Sequence, residues 1–200
     1  MTTPEARQTP IYNRAELERV LDAMAAQLLP CLHGAGPVTL VGVRRRGAPL
    51  ADALLARLQS LLPAGAPIGR LDLLIKRYAD DLTLLHPQTQ LTEATEHAAL
   101  DLAGHTVVVI DDVLYQGHSL NKAVQYLLTK GAERIRAAVL VDRICAKLPL
   151  YADVVGLKLQ VAPGQIVECH VPPFEPSFQI VLVQPGPTEK KGRAAPGLAA

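Results

Sequence analysis

Apolar residues along the chain fall into two helical patterns and a series of short continuous runs. Val20, Leu21, Met24, Leu28 and Leu29 share one face of a predicted helix that opens at Asn13 and runs to Pro30. Glu16, three residues after Asn13, completes a capping box. Leu50, Leu54, Leu55, Leu58, Leu61 and Leu62 mark a second helix near 48–62, and a third is expected at about 119–130, stopped by Gly131. The runs Val38 to Val43, Ile68 to Lys76, 106–110 and Ile135 to Val141 are too short for helices and read as buried strands. Val154 to Gly156, Ile166 to Val171 and Gln179 to Val183 read as later strands. Residues 79–100 are polar, broken by Pro87 and without a period, which suits a long loop or hairpin acting as a lid.

Strands alternating with helices predict an α/β fold with a mainly parallel, twisted sheet flanked by helices. The late strands, which lack intervening helices, predict a small antiparallel flap or edge. Residues 1–10 read as a loose N-terminal arm and 11–184 as one domain. The Pro/Gly/Ala/Lys-rich stretch 185–200 reads as a disordered tail.

Composition narrows the partners. Two hundred residues, 49% hydrophobic and 20% charged with a formal net charge of +1, suit one core-forming domain with no global attraction to nucleic acid or anionic membrane. Cys31, Cys145 and Cys169 are scattered and show no metal-ligand spacing, so free thiols in a reducing compartment are expected. No apolar run has the length of a membrane span, and MTTPEARQTP lacks a signal-peptide core, so a cytoplasmic protein is expected.

The candidate chemistry lies in one strand–loop–helix unit. Val107, Val108, Val109 and Ile110 predict a central strand, ending in Asp111 and Asp112 where open α/β sheets place ligands. Two adjacent carboxylates can hold neighbouring hydroxyls, with a cation relieving their repulsion. Tyr115, Gln116, Gly117, His118 and Ser119 then form a turn whose backbone N–H groups, at the start of a helix, suit a phosphate. Diol clamp and phosphate nest together match a ribose 5-phosphate. The competing reading is a plain strand-to-helix turn in which Asp111 caps and Asp112 is solvated.

The run VVVIDDVLYQGHSL resembles the phosphoribosyl-pyrophosphate signature of type I phosphoribosyltransferases. The Val-Leu-Tyr after Asp111-Asp112 is similar to the PyrR family, pyrimidine-operon regulators with uracil phosphoribosyltransferase activity. Leu40 to Gly47 resembles that family's pyrophosphate loop, and Leu71-Asp72 with Arg77 and Asp80-Asp81-Leu82 resembles a further family stretch. Val139 to Arg143, Leu148-Pro149 and Ala152 to Gly156 resemble the strand and loop that follow the signature.

The resemblance implies a type I phosphoribosyltransferase fold and a set of roles. Asp111 and Asp112 would bind the ribose hydroxyls and Mg²⁺, directly or indirectly. Val113, Leu114 and Tyr115 to Ser119 would complete the ribose and 5-phosphate site. Arg44, Arg45, Arg46 and Gly47 would receive pyrophosphate, through a non-proline cis peptide. Arg77 joins Asp111 and Asp112 as a catalytic candidate, since arginines and Mg²⁺ must absorb charge on the departing pyrophosphate. Val155, Gly156 and Leu157 would lie at the base, and a homo-oligomer is implied.

Three departures bear on function. Gln116 and His118 stand where the family carries a small hydroxyl residue and an arginine, and Arg45 replaces a threonine. Leu157 to Ala162 does not match the family's base-contacting stretch, which leaves the base open. Ile144 to Tyr151 keeps a single lysine, Lys147, and argues against attenuator-RNA binding. Three readings therefore stand: transfer of phosphoribosyl to a nucleobase with uracil favoured, giving UMP; an RNA-binding regulator of pyrimidine genes; and a nucleotide-sensing regulator with weak or no catalysis.

Overall fold

In the computed structural model, residues 6–32, 34, 36–63, 67–76, 90–92 and 99–186 are described. The main sheet contains β2 (Val38–Arg44), β3 (Ile68–Lys76), β4 (Gln90–Thr92), β5 (Thr106–Leu114), β6 (Arg134–Asp142) and β7 (Val154–Lys158) in the order β4-β3-β2-β5-β6-β7. All neighbours run parallel except the edge pair β3 and β4. A second, antiparallel sheet joins β1 (Arg7–Tyr12), β9 (Gln179–Gln184) and β8 (Ile166–His170) in that order.

Helices cover both faces of the main sheet, as buried parallel strands require. From α1 (Arg14–Leu32) and α2 (Gly47–Leu61), residues such as Leu21, Met24, Leu54 and Leu58 pack on Leu40, Val108, Ile110 and Leu140. On the opposite face Leu120, Ala123 and Leu127 of α3 (His118–Thr129) pack on Val41, Val107, Val109 and Val139. Successive residues of β5 thus alternate between two cores, which is why its apolar run is unbroken. Val167, Cys169 and Ile180 bring the small sheet onto the α1/α2 side.

The capping box at the start of α1 forms as expected: Asn13 N–H donates to Glu16 Oε2 (2.8 Å) and Glu16 N–H donates to Asn13 Oδ1 (3.1 Å). The helix continues to Leu32, with Pro30 tolerated in its last turn.

Other boundaries differ from the sequence expectation. Arg7 to Pro10 are not a loose arm but part of β1, paired in register from Arg7 opposite Gln184 to Pro10 opposite Val181. Backbone hydrogen bonding to a neighbouring strand sets this segment, and its largely exposed side chains leave no apolar pattern to read. The strand expected at 106–110 extends to Leu114, because Asp111, Val113 and Leu114 still pair with Val139, Val141 and Asp142. The late strands divide: β7 is a parallel edge of the main sheet, and only β8 and β9 are antiparallel. Arg77, Asp80-Asp81-Leu82, most of the expected lid and the tail from 187 onward lie outside the described residues.

Candidate functional site

The strand order creates the site. From β2 the chain moves to β3 on one side, whereas β5, on the other side of β2, leads on to β6. The loops leaving the carboxyl ends of β2 and β5 therefore diverge, and the gap between them is the position at which open α/β sheets bind ligands. Arg44 to Gly47 leave one strand end and Asp111 to Ser119 the other, so tertiary structure brings both predicted anion-binding loops together.

Contact between them is backbone to backbone. A Cβ built on Gly47 would collide with Ile110 O and lie 3.1 Å from Asp111 Cα. One built on Gly42 would lie 2.6 Å from Ala48 Cα, so the loop also folds down on its own strand. The Arg44–Arg45 peptide bond is cis. Arg44 Nε lies 3.6 Å from Asp72 Oδ2, and Arg70 anchors the same carboxylate while donating to Ala48 O at 2.8 Å.

The two acids are held by their own strand. Asp111 Oδ1 accepts from Asp112 N–H and Asp112 Oδ1 from Val113 N–H, both at 2.9 Å. Burial raises the pKa of Asp111 well above the usual aspartate value, and the adjacent Asp112 charge adds to the rise. Burial also raises Asp112, against the opposing pull of Arg46, whose Nη1 stands 3.8 Å from Asp112 Oδ2. Asp112 keeps 19% of its side chain exposed, enough to meet a ligand. Arg46 is itself gripped by Glu175, with Nη2 at 2.5 Å and Nε at 3.0 Å from Oε1. Burial alone would lower the guanidinium's pKa, but the Glu175 hydrogen bond and the Asp112 charge raise it. Burial likewise works to raise Glu175, and is outweighed by the hydrogen bonds from Arg46 and Val171 N–H, which leave it lowered. Beneath the pair, the Cys169 Sγ–H reaches Asp112 O at 3.9 Å, and burial pushes this thiol far up.

The turn after β5 leads straight into the start of α3. Gly117, at φ +84°, caps α3 without any side-chain cap bond, so the first N–H groups of the helix face the turn unassisted. A small cleft is lined by Asp111, Val113, Leu114 and Tyr115 to Ser119. The Leu-Pro loop supports it from behind: Lys147 N–H donates to Gln116 O (3.2 Å), and Leu148 Cβ would lie 3.6 Å from a Cβ on Gly117. The Arg143 guanidinium stacks over the Tyr115 ring at 5.2 Å.

The expected base-contacting residues lie on β7, farther off. Leu157 is level with Val113 across the intervening Val141. Gly156 backs onto α1, where a Cβ would lie 2.8 Å from both Met24 Sδ and Val20 Cγ1, so its side faces the core rather than the cleft. The sequence pattern does not single out Glu175; the only local signal is an acidic residue set in a proline-rich turn, Pro172-Pro173-Phe174-Glu175-Pro176.

The acid pair fits Mg²⁺. Hard carboxylate oxygens, partly buried and repelling one another, are the donors such a cation prefers. Among the described residues no group of three or more acidic, histidine or cysteine side chains could hold a metal alone. Asp111 and Asp112 would therefore share the ion with ligand oxygens, the usual arrangement for Mg²⁺. Among the described residues, no helix is long and apolar enough to cross a membrane.

Residues 7–173 match the phosphoribosyl transferase domain family. A bifunctional protein PyrR from Deinococcus radiodurans is 34% identical over 92% of this chain and 98% of its own length. Another from Roseiflexus is 38% identical over 73% of this chain and 78% of its own. Among solved structures, a Trypanosoma cruzi hypoxanthine phosphoribosyl transferase superposes with a TM-score of 0.69 at 18% identity, covering 92% of this chain and 94% of that one. A Staphylococcus aureus hypoxanthine phosphoribosyltransferase gives 0.63 at 16%, covering 79% and 80%. At these identities the two structures establish likeness of fold.

Proposed function

The chain belongs to the phosphoribosyl transferase domain family and, within it, to the PyrR proteins; on that footing we propose that it is a nucleotide-sensing regulator of pyrimidine genes with weak catalysis. Its ligand is phosphoribosyl pyrophosphate, or a pyrimidine nucleotide occupying the same ribose and 5-phosphate positions. The observation that carries this reading is the junction of the Asp111-Asp112 pair, the Gly117 turn and the Arg44–Gly47 loop at one switch point. Asp111 and Asp112 hold the ribose hydroxyls, and the N–H groups from Gly117 to Ser119 hold the 5-phosphate. Arg46 and the loop before Gly47 meet the pyrophosphate. Weak catalysis follows from Gln116 and His118, which supply less fixed positive charge to the phosphate than an arginine would, and from Leu157 to Ala162, which depart from the family's base-contacting stretch. The loop 144–151 carries one lysine, so the regulatory output is not assigned to RNA there.

Phosphoribosyl transfer to uracil is the second reading, and the charge arrangement favours it. Transfer breaks the bond from ribose C1 to pyrophosphate as positive charge grows on the sugar and negative charge on the leaving group. On this reading Asp111 and Asp112 would stand beside the first and Arg46, 3.8 Å from Asp112, beside the second. Bound Mg²⁺ would neutralise pyrophosphate oxygens and lower the barrier to their departure.

Calorimetry with phosphoribosyl pyrophosphate and UMP in the presence of Mg²⁺, run beside a turnover assay with uracil, separates the two. The expected outcome is binding of both ligands, with turnover on the order of a hundredfold below the about 10 per second typical of enzymes. Turnover at that ordinary rate transfers the conclusion to the second reading, and failure to bind either ligand removes both.

A further inference from the structure

Glu175 lies between β8 and β9, two residues past the end of the family match at residue 173. Its two oxygens have separate duties. Oε2 accepts from Val171 N–H at 2.8 Å, which fixes the carboxylate to the backbone of its own turn. Oε1 accepts both Nε and Nη2 of Arg46. One edge of the guanidinium is thereby taken, and the Nη1 edge is left beside Asp112 Oδ2 at 3.8 Å, beyond hydrogen-bond distance. No third atom fits between two groups that close, but Nη1 keeps donor capacity for a ligand oxygen that approaches from the side. Only 35% of the Arg46 side chain and 20% of Glu175 remain exposed, so the pair is screened less than a surface salt bridge.

Resting on the reading of this site as one for phosphoribosyl pyrophosphate, we propose that Glu175 is a positioning residue that holds Arg46 ready beside Asp112 to receive the ligand's pyrophosphate group. An arginine has a long, rotamer-rich side chain, and ordering it at the moment of binding subtracts from affinity. Glu175 orders it beforehand. The small antiparallel sheet, which packs on the α1/α2 side and shares no strand with the main sheet, already reaches Asp112 through Cys169 and gains a role at the site through the Glu175 contact. If Glu175 instead merely competed with the ligand for the Arg46 charge, removing it would tighten binding, so the two accounts differ in sign.

The test is calorimetry on the full chain with Mg²⁺, using phosphoribosyl pyrophosphate, inorganic pyrophosphate and UMP as probes, on the wild type, Glu175→Ala, Glu175→Gln and Glu168→Ala. UMP offers ribose and 5-phosphate but no pyrophosphate. Glu175→Ala is expected to weaken the two pyrophosphate-bearing probes about tenfold and to leave UMP unchanged. Glu175→Gln, whose amide oxygen can still accept from Arg46, recovers part of the loss. Glu168→Ala changes nothing, because Glu168 pairs with His170 at 3.6 Å. Unchanged or tighter pyrophosphate binding in Glu175→Ala overturns the positioning role alone. Equal loss of all three probes with a lowered melting temperature assigns Glu175 a structural role and overturns it too. A wild type that binds none of the probes removes the site reading and this inference with it.

Discussion

Replacing Gly47 with alanine adds one methyl group where the loop after β2 rests on the end of β5. That methyl would collide with Ile110 O, lie 3.1 Å from Asp111 Cα and 3.2 Å from Ile110 C. All three are backbone atoms of a central strand paired on both sides, so no flexible side chain can yield. Relief must come from lifting the loop and the first turn of α2 off the sheet. Overpacking of this kind costs about 1–3 kcal/mol, and the all-backbone contact puts Gly47→Ala near about 3 kcal/mol. For a chain of 200 residues that corresponds to a fall of roughly 6–12 °C in melting temperature. The same displacement carries Arg46 away from Asp112, so binding of phosphoribosyl pyrophosphate is lost along with stability. Denaturant titration gives the first quantity and calorimetry the second. A variant within about 0.5 kcal/mol of wild type that binds normally would refute the packing account, since ordinary surface substitutions fall in that range. Full destabilisation with intact binding would show that the loop's seat on β5 does not govern the ligand.

Gly117→Ala tests a different cost: the nearest side-chain atom would be 3.6 Å away, so only the φ of +84° resists, and about 1–2 kcal/mol should appear in the same titration, with weakened UMP binding. Asp111→Asn should raise the melting temperature at neutral pH while abolishing ligand binding. The folded pKa of Asp111 lies above the unfolded value, so the folded state binds more protons as pH rises from about 4. Wild-type stability therefore falls through the interval up to the folded pKa, and the asparagine variant escapes that loss. Melting curves across pH with chelator present check the sign; a variant less stable than wild type at pH 7 contradicts it. Asp112→Asn keeps the bond from Val113 N–H but removes the charge facing Arg46, and calorimetry should find phosphoribosyl pyrophosphate binding weaker by about a hundredfold or more.

Much of this molecule is legible from local patterns, because local chemistry determines those parts. The helix start at Asn13 is fixed by two reciprocal hydrogen bonds three residues apart, and the chain states both partners. The central strand announces itself because Val107 to Ile110 must be apolar on both faces. The acid pair, the glycine turn and the following helix lie within ten residues, so their juxtaposition needs no long-range folding. The family resemblance added the arginine loop and its cis peptide. β1 was illegible for the opposite reason: its partner strand lies at the far end of the described chain, and backbone hydrogen bonds leave no mark on side-chain type.

Sequence alone therefore determined the α/β alternation and the closeness of the acid pair to a glycine turn and helix start, each a matter of spacing along the chain. The tertiary structure decided which loops meet. Strand order placed β2 beside β5, Gly47 became a contact point only because Ile110 lies under it, and Arg46 found Glu175 across 129 positions. An ion pair between distant residues depends on where the intervening chain leads, and nothing in the neighbourhood of either residue encodes that path.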